Sequence, residues 1–116
     1  MIGIEQGRLA ALPGDRPIAL CVVTLAELHL GVINAADTEA RRRRLLTLLQ
    51  AQSYECLGID VDVAERWAGL VAFARTHGKR LTVNDAWIAA IAAANGATVL
   101  TQDDDFDGLP VDVLKV

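Results

Sequence analysis

The sequence predicts an α/β fold: an open, mainly parallel sheet flanked by helices. Three observations predict it. Ile18 to Val23 is a short, almost unbroken apolar run, which is how a strand buried on both faces reads. Two further short runs, Tyr54 to Ile59 and Ala97 to Thr101, alternate with longer stretches of helical patterning. Finally, 53% of the 116 residues are apolar, enough for a real core, while the length suits one domain and not two. The expectation is a single domain over residues 1–116.

The elements follow in order. Residues Met1 to Leu12 are patterned like a helix fragment, with Ile2, Ile4, Leu9, Ala10 and Leu12 apolar and no cap before Ile2. A sheet of this class normally opens with a strand, often a central one, so the sequence predicts a sheet lacking its first strand and a domain incomplete on its N-terminal side. Leu12-Pro13-Gly14-Asp15-Arg16-Pro17 is a loop by its turn chemistry. Thr24 opens a helix to Val32. Asp37-Thr38 opens another to Gln52, with Leu45, Leu46, Leu48 and Leu49 as its packing face. Asp60 or Asp62 caps a long helix through His77, stopped by Gly78. Arg80 to Val83 reads as extended, Asn84 to Asn95 as an alanine-rich helix ended by Gly96, Gln102 to Pro110 as an acidic loop and Val111 to Val116 as a terminal strand.

Composition excludes several function classes. Eleven basic and fifteen acidic residues leave a net charge of −4, which rules out a polybasic nucleic-acid binder. It does not rule out a nucleic-acid enzyme, because a bound metal brings its own positive charge to a phosphate. Cys21 and Cys56 both sit in apolar runs and read as small buried hydrophobes in a reducing compartment, not as a disulfide or zinc framework. His29 and His77 cannot make a histidine-rich metal centre. No stretch resembles a signal peptide or a membrane span, and a cytoplasmic protein is expected. Nucleotide-binding glycine motifs are lacking, and Lys115 is poorly placed for the lysine of a receiver-like phosphoacceptor domain.

The placement of the acids carries more information than their number. Glu27 follows the first apolar run, Asp85 follows the extended piece ending at Val83, and Asp103, Asp104 and Asp105 directly follow the run ending at Thr101. In open α/β sheets, sites lie outside the carboxyl ends of the strands, so carboxylates from separate strand ends can converge on one crevice. Gathered there, they repel one another unless a cation or protons compensate. Oxygen-only ligands suit Mg2+ or Mn2+ rather than zinc. Each acid also has a local explanation. Thr24-Leu25-Ala26-Glu27 fits a capping box, Asn84-Asp85 fits a helix start, and the aspartate run fits a solvated turn.

Thr24, Asn84 and Thr101 stand beside the acids as groups able to hold carboxylates or bind phosphate oxygens. Lys79 and Arg80, just before the Asn84-Asp85 pair, are candidate phosphate binders. Arg41-Arg42-Arg43-Arg44 sweeps around its helix at about 100° per residue and forms no single stripe. It reads as a solvated face, with docking of RNA or an acidic partner segment as the alternative. Trp67, Phe73 and Trp87 fall at core or interface positions.

Three blocks together carry a resemblance: Thr24-Leu25-Ala26-Glu27-Leu28 with Gly31, Asn84-Asp85-Ala86-Trp87-Ile88-Ala89-Ala90, and Thr101-Gln102-Asp103-Asp104-Asp105-Phe106. In order and spacing they resemble the motifs of PIN-domain ribonucleases, and among these the VapC toxins of bacterial VapBC toxin–antitoxin modules. The resemblance implies a metal-dependent endoribonuclease that hydrolyses RNA to 5′-phosphate and 3′-hydroxyl ends. It implies Glu27, Asp85 and Asp103 as catalytic ligands of Mg2+ or Mn2+, with Asp105 as an accessory acid. It also implies a homodimer and a VapB-type antitoxin whose C-terminal segment covers the site. PIN domains open with an apolar strand ending in an aspartate ligand, which this chain lacks. Glu5 does not replace it, belonging to a helical pattern and not to a strand end. A segment ahead of Met1 carrying that aspartate is the favoured expectation. The alternative is a catalytically impaired PIN-fold interaction module that binds an antitoxin or dimerises without cleaving RNA.

Overall fold

In the computed structural model, residues 9–11 and 18–115 are described. The elements are β1 (Leu9–Ala11), β2 (Ile18–Cys21), α1 (Val22–Ile33), α2 (Thr38–Ala51), β3 (Glu55–Leu57), α3 (Val61–Thr76), α4 (Val83–Ala94), β4 (Thr98–Thr101) and β5 (Val113–Lys115). The five strands form one sheet in the order β3-β2-β1-β4-β5. β2 pairs in parallel with β3, and β4 with β5, while β1 runs antiparallel to both β2 and β4. Four strands therefore point one way, as an α/β sheet requires, and the fifth opposes them from the middle.

That middle strand departs from the sequence reading. Leu9 to Ala11 lies in the centre of the sheet, with Leu9 opposite Leu20 on one side and Leu100 on the other. A gap between two strands would leave two rows of backbone donors and acceptors unpaired, and three small or apolar residues suffice to fill it. The readings of Met1 to Gly7 as helical, of Glu5, and of residues 12–17 as a loop lie outside the described residues.

Both faces of the sheet are covered. Along β2, Ala19 and Cys21 belong to one buried cluster and Leu20 to the other; along β4, Val99 and Leu100 divide the same way. This is the period of two expected of a strand buried on both sides. The larger cluster joins Val63, Leu70 and Ala74 of α3 to Ile88, Ala89 and Ile91 of α4. The smaller joins Leu28 of α1 to Leu48 and Ala51 of α2. Alanines dominate α4 because the helix is buried on nearly every side, through Ala86, Ala89, Ala90 and Ala92 over about half its circumference and Ile88 and Ile91 over the rest. Only small side chains let strands and neighbouring helices approach it that closely.

Helix α2 is less embedded than its sequence suggests. Leu48 is buried, but Leu45, Leu46 and Leu49 are exposed. The helix touches the domain through one narrow stripe against α1, so a run of four leucines around the axis cannot all be covered. Cys56 is likewise exposed and corrects the reading of two buried thiols, whereas Cys21 is fully buried. β3 stands at the sheet edge, which leaves one side of its short strand to solvent.

Helix starts follow cap chemistry. Asp37 accepts from the Ala40 amide at 2.8 Å and Asp60 from the Val63 amide at 2.9 Å, so Asp60 rather than Asp62 caps α3. Asp60→Ala is expected to cost about 1 kcal/mol by losing one satisfied helix-start donor. Denaturant unfolding checks this as a lower midpoint with an unchanged slope. Gly78 and Gly96 end α3 and α4 at φ of 63° and 60°, a left-handed conformation that a side chain would strain. Among the described residues no helix is long and apolar enough to cross a membrane.

Candidate metal and RNA site

β2 and β4 are parallel, so their carboxyl ends lie on one edge of the sheet. α1 leaves β2 directly at Val22, and Glu27 sits five residues on, about 7.5 Å along the axis. α4 leads back into β4 through the short turn at Asn95 to Ala97, so the start of α4, with Asn84 and Asp85, lies at the same edge. Asp103 follows Thr101, the last residue of β4, by two positions. Topology thus puts Glu27, Asp85 and Asp103 on one edge, where ligand sites of α/β sheets occur.

The capping box read at Thr24 and Glu27 does not form, while Asp85 does stand at a helix start. α1 begins at Val22 with Cys21 as its N-cap, so Thr24 already lies inside the helix and no capping box with Glu27 forms. Thr24 is buried, its hydroxyl 3.2 Å from Cys21 Sγ. Burial pushes the Cys21 thiol pKa up, partly opposed by that hydrogen bond. In α4 the cap is Thr82, whose Oγ1 accepts from the Asp85 amide at 3.1 Å. Asn84 is therefore not used as a cap. It is exposed and lines a cleft of about 490 Å3 together with Glu27, Gly31, Asn34 and Arg44.

Asp85 is 1% exposed, in the first turn of α4. The positive end of the helix dipole favours a negative charge there. Thr101, also fully buried, donates through Oγ1 to Asp103 Oδ1 at 3.1 Å, and the same Oγ1 accepts from the Asp103 amide at 3.2 Å. The Asp105 amide adds a second donor to Asp103 Oδ1 at 3.1 Å. Asp103 is thereby held half-buried in one orientation, while the Asp105 side chain is exposed.

The aspartate run divides by role. Asp104 and Asp107 both accept from Lys115 Nζ, the latter at 2.7 Å. The Lys115 hydrogen bond, then its charge, holds the Asp104 carboxyl below the usual range, while the hydrogen bonds to Asp104 and Asp107 raise the Lys115 ammonium pKa. The charge of Lys79 lowers the Asp104 pKa as well, as the smallest of the causes. Arg80 is exposed just before α4.

Donor chemistry at this edge fits a hard divalent cation: oxygen ligands only, one of them a buried carboxylate and none a thiol or imidazole. Among the described residues, however, no three acidic, histidine or cysteine side chains stand close enough together to enclose a metal ion. Running antiparallel, β1 brings its Leu9 end to the edge where β2 and β4 finish, and its carboxyl end to the opposite edge.

His77 is taken up by structure: its Nδ1 donates to the Phe73 carbonyl at 2.8 Å and its ring stacks on Phe73. Trp87 stacks on Trp67 with centroids 4.9 Å apart, so both indoles serve packing. Arg44 lines the cleft too, and the sequence reading of Arg41–Arg44 as a solvated face, with RNA docking as the alternative, did not set it apart from its neighbours. The distinguishing signal is helical spacing, because Arg44, Leu48 and Ala51 share one stripe, and the last two are buried.

A PIN-domain family model matches residues 5–111 of the chain. Ribonuclease VapC5 of Mycobacterium tuberculosis is 45% identical over 121 aligned positions, covering 99% of this chain and 89% of the relative. Ribonuclease VapC4 of the same organism is 50% identical over 96 positions, covering 82% of this chain and 74% of the relative. Among solved structures, VapBC-5 of Mycobacterium tuberculosis, a member of the VapBC family of toxin–antitoxin systems, superposes with a TM-score of 0.77 at 46% identity. That superposition covers 84% of this chain and 79% of the other. A matching family model, a matching fold and this degree of identity over most of the length lead to one conclusion: the chain belongs to the PIN-domain family, with the VapC ribonucleases.

Proposed function

We propose that this chain is a metal-dependent endoribonuclease toxin that hydrolyses RNA phosphodiester bonds and is neutralised by a VapB-type antitoxin. The observation that carries the reading is the joint placement of Glu27, Asp85 and Asp103 at one sheet edge, within a chain 45% identical to a VapC ribonuclease over nearly its whole length. The substrate is RNA, the ion Mg2+ or Mn2+, the working form a homodimer and the compartment the cytoplasm.

Glu27, Asp85 and Asp103 would hold the ion, which requires them to draw closer together than they stand in this structure. When bound, such an ion polarises the scissile phosphate and lowers the pKa of an attacking water. Asp85 contributes a fixed, buried negative charge. Asp103, oriented by Thr101, or the exposed Asp105 orients the water or accepts its proton. Asn84, on the wall of the cleft, offers an amide to a phosphate oxygen, and Lys79 with Arg80, just ahead of α4, supplies positive charge. Neither histidine has a step to perform, in keeping with the structural role of His77. Leu30, Ile33, Leu46 and Leu49 remain exposed on α1 and α2, apolar surface available to a protein partner.

The test is cleavage of bacterial total RNA by the purified protein. Activity is expected with Mg2+ or Mn2+, and EDTA is expected to abolish it, with recovery when excess metal is returned. Cleavage that continues undiminished in EDTA overturns the metal mechanism. Binding of an antitoxin by a protein that never cleaves RNA would support the interaction-module reading.

A further inference from the structure

We propose that Arg44 is a positioning residue that holds a phosphate of the RNA backbone at the mouth of the cleft between Glu27 and Asn84. The inference rests on the ribonuclease reading above and assigns a substrate-binding role to a residue outside the acidic motifs. Four arginines follow one another on α2, yet the structure treats them differently. Arg43 lies 3.8 Å from Glu39 in an exposed pair. Arg44 points the other way, toward α1, and donates from Nη1 to the Gly31 carbonyl at 2.7 Å. Its aliphatic stem runs close to Gly31, where a Cβ would stand 3.8 Å from Arg44 Cδ.

Three features make this guanidinium suited to a phosphate. First, it lines the same cleft of about 490 Å3 as Glu27 and Asn84, a volume in the range of ordinary ligand sites. Second, its orientation is set in advance by the Gly31 carbonyl. A guanidinium has five N–H donors in a rigid fork, so one bond to the main chain leaves others for the two oxygens of a phosphate. Third, among the described residues no carboxylate lies within ion-pair distance of Arg44, so its charge is not neutralised by a local partner. An edge rich in carboxylates in a chain of net charge −4 repels RNA, and a cation fixed on the rim offsets that repulsion where the strand must pass.

The experiment compares wild type, Arg44→Gln, Arg44→Lys and Arg42→Gln on end-labelled bacterial small RNA. Cleavage rates and filter retention are measured over a KCl series, with thermal unfolding alongside. Arg42 lies two residues away, about 200° around the helix, and serves as the control. Arg44→Gln is expected to raise the apparent KM about tenfold with kcat close to wild type. It should also flatten the log–log salt dependence of RNA retention by about 0.7, the share of one phosphate contact on a single strand. Arg44→Lys should restore the salt slope while recovering only part of the affinity, because a point charge replaces the fork.

Unchanged KM and salt slope in Arg44→Gln overturn the inference, and so does an equal loss in Arg42→Gln. A lowered Tm with an unchanged slope also overturns it, since Arg44 would then only staple α1 to α2. Wild-type protein that does not cleave RNA refutes the ribonuclease reading and takes this inference with it. Cleaving wild type with a silent Arg44→Gln refutes the inference alone.

Discussion

Asp85→Asn is expected to lower RNA cleavage by about three orders of magnitude and to leave the fold intact. The side chain is 1% exposed in the first turn of α4, so its charge is sheltered from screening and acts strongly on whatever cation stands at this edge. Asparagine keeps the shape and removes the charge. The helix start does not depend on the carboxylate, because the Thr82 hydroxyl binds the backbone amide of Asp85 and not its side chain. Around it, Ala86, Ile88 and Ala89 are buried and undisturbed by an isosteric change. A second measurement separates loss of metal from loss of fold. Wild type should gain Tm when Mn2+ is added, by the linkage of binding to folding, whereas Asp85→Asn should have a normal Tm without metal and little gain with it. Asp103→Asn should behave alike, since Thr101 can still bond the amide oxygen. Cleavage at the wild-type rate in either variant removes that residue from the site.

How far the sequence revealed this arrangement depends on what each signal measures. Apolar runs measure burial, and Ile18 to Cys21 and Thr98 to Thr101 are strands with both faces covered, as their unbroken hydrophobicity implies. Aspartates at helix starts measure cap geometry, and Asp37 and Asp60 serve as caps. A three-residue strand such as Leu9 to Ala11 carries too few residues to distinguish a period of two from one of 3.6, so pairing with β2 and β4 decides its conformation. Thr24 and Asn84 were ambiguous because a polar residue near a helix start suits both a cap and a site. Only the observed helix starts, at Val22 and Val83, separate the two roles. The arginine run is exposed, as a solvated face requires, but its length did not distinguish its members; the register of Arg44 with Leu48 and Ala51 does. Asp103 was legible as a strand-end residue, whereas no strand directly precedes Asp85 and Glu27 lies within α1. Convergence on one ion is a matter of distances, which spacing along a chain does not contain.

Phe106→Ala is expected to destabilise the protein by about 3–5 kcal/mol, the largest stability effect of any single change considered. Phe106 is the largest fully buried side chain among the described residues and stands immediately after the aspartate run. The loop that carries those aspartates is otherwise a succession of tight turns. The Asp107 amide donates to the Asp104 carbonyl at 3.1 Å, the Val111 amide to the Leu109 carbonyl at 2.8 Å, and Gly108 takes φ of 79°. Such turns fix local shape but not the position of the loop against the sheet. Phe106 and Leu109, both in the larger core cluster with Val99, supply that anchorage. Truncation to alanine leaves a cavity that the neighbouring alanines of α4 are too small to fill. Urea unfolding should show a markedly lower midpoint at an unchanged slope, and the thermal midpoint should fall by more than about 10 °C. Phe73→Ala, at a half-buried ring stacked on exposed His77, should cost clearly less. In folded Phe106→Ala at low temperature, cleavage should fall as well, because Asp103 keeps its orientation only while the loop is seated. A loss below about 1 kcal/mol would mean that the turns and the Lys115 pairs hold the acidic loop without the ring.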